Sequence, residues 1–193
     1  MANGIKLIAG LGNPGSRYVD TRHNAGFWFV EELADRYHGN WQEERRLKAR
    51  VCNVVIDNER IWLIAPQDYM NHSGEAIAAF ARYYRIDVGQ ILVAHDELDI
   101  LPGRVKLKQG GGAAGHNGLR DTTQHLGSPD YLRLRLGIGH PGKHSSVVNF
   151  VLTRPPEAEM TLIRSAIDHA ADHIGEISQG DLQLAMNALH SHS

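Results

Sequence analysis

The short apolar run IKLIAGL, from Ile5 to Leu11, most constrains the fold, because glycine and proline follow it at once. A run of this kind is typical of a buried strand. After a polar stretch, apolar residues recur at helical spacing up to a stop at Gly39: Phe27, Val30, Ala34 and Tyr37. The order strand, polar loop, helix indicates the first unit of an α/β protein.

The next apolar runs predict a β-hairpin and a second helix. Val51–Ile56 and Ile61–Ala65 flank DNER, in which Asp57 and Asn58 suit a tight turn. Ser73 then precedes an amphipathic pattern and is a suitable N-cap for it.

Later segments continue this alternation. ILVAHDELD, from Ile91, predicts another buried strand, and GRVKLK predicts a polar edge strand. Gln109–Gly118 is interpreted as a loop, followed by a short helix around Leu119–Leu126. YLRLRLGIG, from Tyr131, alternates apolar and basic residues. Its leucines should therefore share one face of a strand, and Arg133 and Arg135 the other.

The C-terminal part reads as helix. A long pattern after RPP and a short one after Gly180 predict two helices, with these apolar positions: Ile163, Ile167, Ala170 and Ile174 in the first, and Leu182, Met186 and Leu189 in the second. We therefore predict an α/β fold for residues 1–193. It should be a single domain with a mixed, mostly parallel β-sheet flanked by helices and one β-hairpin.

Composition narrows the class of protein. The lone Cys52 cannot form an internal disulfide, so we expect a buried thiol in a reducing, cytoplasmic protein. No apolar run approaches the ~20 residues that span a bilayer, so no membrane segment is expected. The net charge is −2, yet the segment from Leu101 to Arg154 carries eight basic and two acidic residues. Such a segment either faces phosphates or scatters its charges over the surface.

The motif GLGNPG, from Gly10 to Gly15, matches the G-x-G-x-x-G pattern of dinucleotide-binding sites. That site requires a helix that opens within the glycines and an acidic residue ~20 positions later on a second strand. Here the helix starts near Asn24, so we favour a tight turn with glycines at positive φ and with Asn13 at its apex.

His23 and Asp96 are the candidate catalytic pair. His23 precedes the first helix, with Asn24 as a cap, where the helix dipole should keep the imidazole neutral and able to act as a base. Asp96 ends a buried strand. If this strand is parallel to the first, Asn13, His23 and Asp96 meet at one rim of the sheet, where ligands bind in such folds.

Other chemistries remain open at this point. His23 alone could be a surface capping histidine, and Asp96, Glu97 and Asp99 could hold magnesium for phosphoester chemistry. His169 and His173 have i, i+4 spacing, but the sequence places no third zinc ligand. His190 and His192 fall in a tail that we expect to fray.

No obvious nucleophile is present. The chain lacks a G-x-S-x-G elbow, and Cys52 lies in mid-strand. A histidine base would then activate water, with amides of Asn13, Asn71 and Asn117 available to hold a carbonyl and stabilise an oxyanion.

Six motifs together resemble those of the bacterial-type peptidyl-tRNA hydrolases. In order they are GLGNPG, Y-x-x-TRHNAG with Tyr18, MNHSG from Met70, ILVAHDELD, GGGAAGHNGL from Gly110 and RLRLGIGHPG from Arg133. The resemblance extends to about Leu152. TRHNAG and GHNGL are specific, whereas GLGNPG alone is not.

The resemblance implies hydrolysis of the ester that joins a peptide to the terminal adenosine ribose of tRNA. It implies His23 as base, Asp96 as its orienting carboxylate and Asn13 at the catalytic centre. It assigns Asn71 to the peptide backbone and Asn117 to the ester and its water. Three further residues, Tyr18, Met70 and His116, are implied in the substrate-binding cleft.

The resemblance also implies that Lys106, Lys108 and Arg135 contact tRNA. It implies a monomer that needs no cofactor, metal or obligate protein partner. In the family the glycine-rich loop often reads G-G-x-x-G-G-H-N-G, and here Ala113 and Ala114 occupy part of it. The rival functions are a metal-dependent nuclease or phosphatase and a non-catalytic tRNA-binding module. The sequence leaves open whether the loop from His140 to Ser146 closes over substrate.

Overall fold

The computed structural model describes residues 4–190, and within them a seven-stranded sheet has helices on both faces. The strands are β1 (Leu7–Gly10), β2 (Gln42–Glu44), β3 (Ala49–Ile56), β4 (Glu59–Pro66), β5 (Ile91–Glu97), β6 (Val105–Gln109) and β7 (Leu132–Gly137). The helices are α1 (Ala25–Arg36), α2 (Ser73–Tyr83), α3 (Asn117–Leu126), α4 (Val147–Val151), α5 (Glu157–Asp172), α6 (Ile174–Ser178) and α7 (Leu182–His190). Short 3-10 turns precede α1, α2 and β5.

The strand order is β2-β3-β4-β1-β5-β7-β6. The four central strands are parallel, and antiparallel strands border them on both sides. The prediction of a mixed α/β sheet is confirmed, as is the position of β6 at an edge. Strands β2, β3 and β4 lie on one side of β1, and β5, β6 and β7 lie on the other. The carboxyl ends of β1 and β5 therefore form the switch point at which α/β folds open a crevice.

The hairpin turn is confirmed. Asp57 and Asn58 join β3 to β4 and have φ values of 50° and 66°. Two successive residues in the left-handed region form the turn that matches the twist of paired strands. The three-residue edge strand β2 was missed, because its sequence QEE is fully exposed and carries no apolar signal.

The leucines of β7 are confirmed on one face. They join the apolar layer beneath α1, α5, α6 and α7, whereas α2 and α3 pack on the opposite face. Cys52 is buried in β3, where burial raises the pKa of its thiol to about 11. No helix among residues 4–190 is long and apolar enough to cross a bilayer.

Several predicted boundaries change. Ser73 is not a cap: it is the first residue of α2, and its hydroxyl donates to the Met70 carbonyl oxygen at 2.8 Å. The long C-terminal helix is broken at His173, between α5 and α6. Helix α3 begins at Asn117, inside the predicted loop, because the His116 side chain caps it. The short helix α4 was not predicted.

Two of the three motif glycines permit close packing and do not have positive φ. A Cβ on Gly10 would lie 2.2 Å from the carbonyl oxygen of Gly26, and a Cβ on Gly12 would lie 2.6 Å from the ring of Phe27. Gly26 makes the reciprocal contact, because its Cβ would lie 2.3 Å from the Ala94 carbonyl oxygen. Only Gly15 has the expected positive φ, at 100°. Helix α1 therefore begins directly against the backbone of β1 and β5.

We expect Gly26→Ala to lower the free energy of unfolding by about 1–3 kcal/mol, because the new methyl group meets backbone that cannot move aside. Chemical denaturation measures the change. Gly89→Ala is the matched control, since a Cβ there meets nothing within 4 Å. Equal stability of the two variants would show that α1 can shift without cost.

Candidate active site

The predicted catalytic residues meet at the switch point of the sheet. Asn13 follows β1, Asp96 lies at the end of β5, and His23 lies in the 3-10 turn that precedes α1. All three line a cleft of about 700 Å³. Five further predicted residues line this cleft: Tyr18, Met70, Asn71, His116 and Asn117. The fold thus brings together eight side chains from five separated segments.

Asp96 accepts hydrogen bonds from two histidines. Its carboxylate is buried, with His23 Nδ1 2.8 Å from Oδ2 and His116 Nε2 2.8 Å from Oδ1. The rings of His23 and His116 are 5.0 Å apart, centroid to centroid. One carboxylate therefore orients both imidazoles.

These contacts determine the tautomer of each ring. An ionised carboxylate only accepts, so the nitrogen that faces Asp96 carries the hydrogen in both histidines. His116 Nδ1 in turn accepts from the Leu119 amide at 3.3 Å, and this caps α3. His23 is left with an unprotonated Nε2. It has the lone pair that a general base requires.

The charges raise the pKa of His23. Burial alone would lower it, but the attraction of Asp96 and its hydrogen bond outweigh burial. Burial likewise acts to raise the pKa of Asp96, yet His23 and His116 hold it far below its usual range. The expectation that the helix dipole disfavours the charged form of His23 is therefore wrong in its direction, because Asp96 and its hydrogen bond raise the pKa.

Asn13 is held by contacts on both backbone and side chain. Its backbone N–H donates to Asn24 Oδ1 at 2.8 Å, and its carbonyl accepts from Asn24 Nδ2 at 2.9 Å. Its side-chain Oδ1 accepts from the Met70 amide at 2.7 Å. The prediction that the Asn24 side chain caps α1 is therefore wrong. This side chain instead holds the turn that contains Asn13. Because the Asn13 oxygen is used, its Nδ2 is the atom available to donate in the cleft.

The other amides lie at the rim. Asn71 and Asn117 are exposed, on the turn before α2 and in the first turn of α3 respectively. Both line the cleft, as does the buried Met70. A carbonyl group entering the cleft would meet amide donors on more than one side.

Sequence reasoning missed an apolar wall of the cleft. It is formed by exposed or partly exposed side chains of α4 and two neighbouring loops: Tyr69, Leu98, Val147, Val148 and Leu152. Arg22 holds α4 in place, because its guanidinium donates to the Phe150 carbonyl oxygen at 3.0 Å and stacks 3.9 Å from the Phe150 ring centroid. The sequence gives no signal for this wall, because its residues are far apart along the chain and meet only in the folded structure.

The glycine-rich loop is anchored from beneath. Arg133 is buried and donates to the carbonyl oxygens of Gly111, at 2.6 Å, and Gly112. Ala114 has φ of 48°, in the left-handed region that favours glycine. The loop therefore has a strained position at a residue other than glycine.

The predicted tRNA-binding residues lie on one sheet face. Lys106 pairs with Arg135 in the antiparallel register of β6 and β7, and Lys108 pairs with Arg133. Both lysines are exposed, and neither forms an ion pair among residues 4–190. Arg135, however, donates to Glu97 Oε1 at 3.0 Å, which offsets part of its charge.

The three acidic residues considered for magnesium, Asp96, Glu97 and Asp99, all line the cleft, but within residues 4–190 their ligand atoms do not form a group close enough to share a cation. Glu97 pairs instead with Arg135. In that part of the chain, the set close enough to share a cation is His23, Asp96 and His116, with ligand atoms within 4.8 Å. The two histidine–carboxylate hydrogen bonds already account for this cluster. The ring of His169, in α5, meets the ring of His173, which follows that helix, edge to face with centroids 5.0 Å apart. His190 does not fray as expected: it ends α7, and its Nε2 accepts from the Leu107 amide at 3.0 Å. His192 lies outside the described residues.

The chain is similar in sequence and in fold to known proteins of one family. A family model described as peptidyl-tRNA hydrolase matches residues 7–193. The chain is 51% identical over 187 residues to a peptidyl-tRNA hydrolase of Halorhodospira halophila, covering 97% of this chain and 96% of that protein. It is 47% identical over 191 residues to one from Neisseria meningitidis, covering 99% and 100%. The crystal structure of the Acinetobacter baumannii peptidyl-tRNA hydrolase superposes with a TM-score of 0.94 at 46% identity, covering 98% and 95%.

We expect an NMR titration to place the pKa of His23 above its ordinary value of 6.5. In Asp96→Asn it should fall below that value, because burial then acts without the carboxylate. Asp35→Asn, which changes an exposed carboxylate far from the cleft, is the control and should leave the pKa unchanged. If the pKa of His23 is the same in Asp96→Asn as in the wild type, the assignment of His23 and Asp96 as a pair is wrong.

Proposed function

This chain belongs to the peptidyl-tRNA hydrolase family, and we propose that it cleaves the peptide–tRNA ester through water activated by His23. The scissile ester joins a peptide, or an N-blocked amino acid, to the terminal adenosine ribose of tRNA. Its cleavage recycles tRNA from prematurely released peptidyl-tRNA. The observation that carries the mechanism is the 2.8 Å contact between His23 Nδ1 and Asp96, which leaves Nε2 free to accept a proton.

In the proposed reaction, His23 Nε2 takes a proton from water as the water oxygen bonds to the ester carbonyl carbon. Asp96 stabilises the imidazolium that forms. The tetrahedral intermediate then collapses, the bond from carbon to the ribose oxygen breaks, and the imidazolium returns its proton to that oxygen. The products are the free peptide carboxylic acid and tRNA with its terminal hydroxyl restored.

The asparagines bear the developing charge. Asn13 presents Nδ2 because Met70 occupies its Oδ1, so it is fixed as a donor to the carbonyl oxygen. We assign Asn71 to the peptide backbone and Asn117 to the ester and its water. Tyr18, Met70 and His116 shape the cleft around them. The apolar wall on α4 suits the side chains of a peptide rather than a second nucleotide.

The tRNA is held beside the cleft. Lys106 and Lys108 are exposed side chains of the edge strand β6, and phosphates of the acceptor end can approach them. Arg135 lies on the same face, but its guanidinium is bonded to Glu97. To contact a phosphate of tRNA, Arg135 must share or break this bond. We assign no metal or cofactor to the reaction. A monomeric state, the absence of an obligate protein partner and a cytoplasmic location stay predictions.

We expect His23→Ala to lower single-turnover cleavage of an N-blocked aminoacyl-tRNA by about 10²–10⁴-fold, because general-base catalysis supplies an effect of this size. His38→Asn, at an exposed position that does not line the cleft, is the matched control. The wild-type assay is repeated with EDTA. Retention of activity in His23→Ala would refute the base, and loss in EDTA with recovery in magnesium would favour the metal-dependent rival. Binding without cleavage by the wild type would identify a non-catalytic module.

Lys106→Gln and Lys108→Gln should each weaken tRNA binding and reduce the slope of log K against log salt by about 1, since each removes one phosphate contact. Equilibrium binding at several salt concentrations measures the slope. Arg46→Gln, on the turn between β2 and β3 at the opposite side of the sheet, should leave it unchanged. Equal slopes in all variants would remove β6 from the tRNA surface.

A further inference from the structure

His95 is a buried histidine that the proposed reaction does not use. It precedes Asp96 in β5, is 2% exposed and lies against the inner wall of the cleft. Its Nδ1 is 2.8 Å from the backbone carbonyl oxygen of Asp96, and its Nε2 is buried without a hydrogen-bond partner. A buried polar atom left unpaired is costly, so the residue needs a reason to be histidine.

The backbone around Asp96 supplies that reason. The carbonyl group of Ala94 points toward β1, because its oxygen accepts from the Leu11 amide. The carbonyl group of Glu97 points toward β7, because its oxygen accepts from the Ile138 amide. Backbone groups alternate sides along a parallel strand, so the Asp96 carbonyl faces β1 as Ala94 does. The pairing of β1 with β5 ends at Gly10 and Ala94, because β1 turns away there. The carbonyl of Asp96 therefore has no partner in the sheet.

We propose that His95 is a positioning residue, which donates its Nδ1–H to this carbonyl and so fixes the Asp96 carboxylate between His23 and His116. The hydrogen bond holds the last peptide of the strand in the open gap of the switch point. The direction of the Asp96 side chain depends on that peptide. This role rests on the proposed function, in which Asp96 supports the base.

The ring of His95 adds a second constraint. It meets the ring of His116 edge to face, with centroids 5.3 Å apart, and thus supports the second imidazole that shares Asp96. The charged and titratable groups around it are Asp96, His116 and Arg133. Burial, followed by the neighbouring His116, lowers the pKa of His95 to about 3, so the ring stays neutral. A neutral ring is required here, because a positive charge beside Asp96 would compete with His23 for its carboxylate.

The test compares His95→Asn with His95→Leu. The two side chains have nearly the same shape, but only asparagine can place an N–H where Nδ1 stood. We expect His95→Leu to lose about 10–100-fold in kcat with KM nearly unchanged, since small displacements of a catalytic group cost this much. The acidic limb of its kcat/KM profile should move to lower pH, because His23 loses part of the attraction that raises its pKa. His95→Asn should keep the acidic limb and most of kcat.

An NMR measurement on the wild type keeps the proposal testable if His95→Leu does not fold. His95 should carry its proton on Nδ1 and stay neutral from about pH 5 to 8, while His23 titrates. A proton on Nε2, titration of His95 in that range, or a folded His95→Leu with wild-type kcat and pH profile would each overturn the proposal. If His23→Ala instead proves active, the proposed function fails, and the NMR pKa of His23 in the His95 variants still tests the positioning role.

Discussion

The site depends on the direct contact between the backbone of α1 and the two central strands. Gly10 and Gly26 have no Cβ, and any other residue at either position would place one within 2.3 Å of backbone oxygen. Because the first turn of α1 rests on β1 and β5, the turn just before it lies over the open ends of those strands. His23 is in that turn. The distance between His23 and Asp96 thus depends on the absence of a Cβ at Gly10 and at Gly26.

A second theme is the use of one group for several partners. Asp96 orients His23 and His116 together, and Asn24 binds both backbone groups of Asn13. These contacts are buried or partly buried, so water competes with them less than at the surface. They leave available the two atoms to which we assign chemical roles, Nε2 of His23 and Nδ2 of Asn13. Pre-organised donors and acceptors of this kind need no rearrangement when charge develops on a substrate.

The local predictions that proved wrong have a common cause. Asn24 and Ser73 are good N-caps by type, and both precede or begin a helix, yet neither caps it. Asn24 instead binds a loop eleven residues away in sequence, and Ser73 binds the turn that carries Met70. The predicted direction of the His23 pKa shift was wrong for the same reason, because a carboxylate 73 residues away in sequence raises this pKa.

The sequence by itself determined six of the seven strands, most helices, the hairpin turn and the identity of the polar residues that meet around Asp96. These follow from periodicity, from turn chemistry and from motifs whose spacing is local. The tertiary structure alone decided which atoms face one another: the shared carboxylate, the tautomers, the pairing of Arg135 with Glu97 and the unpartnered carbonyl that His95 satisfies. Hydrogen bonds and charges act over a few ångströms in space. A sequence shows their order along the chain, and only the folded sheet brings the ends of β1 and β5 to that distance.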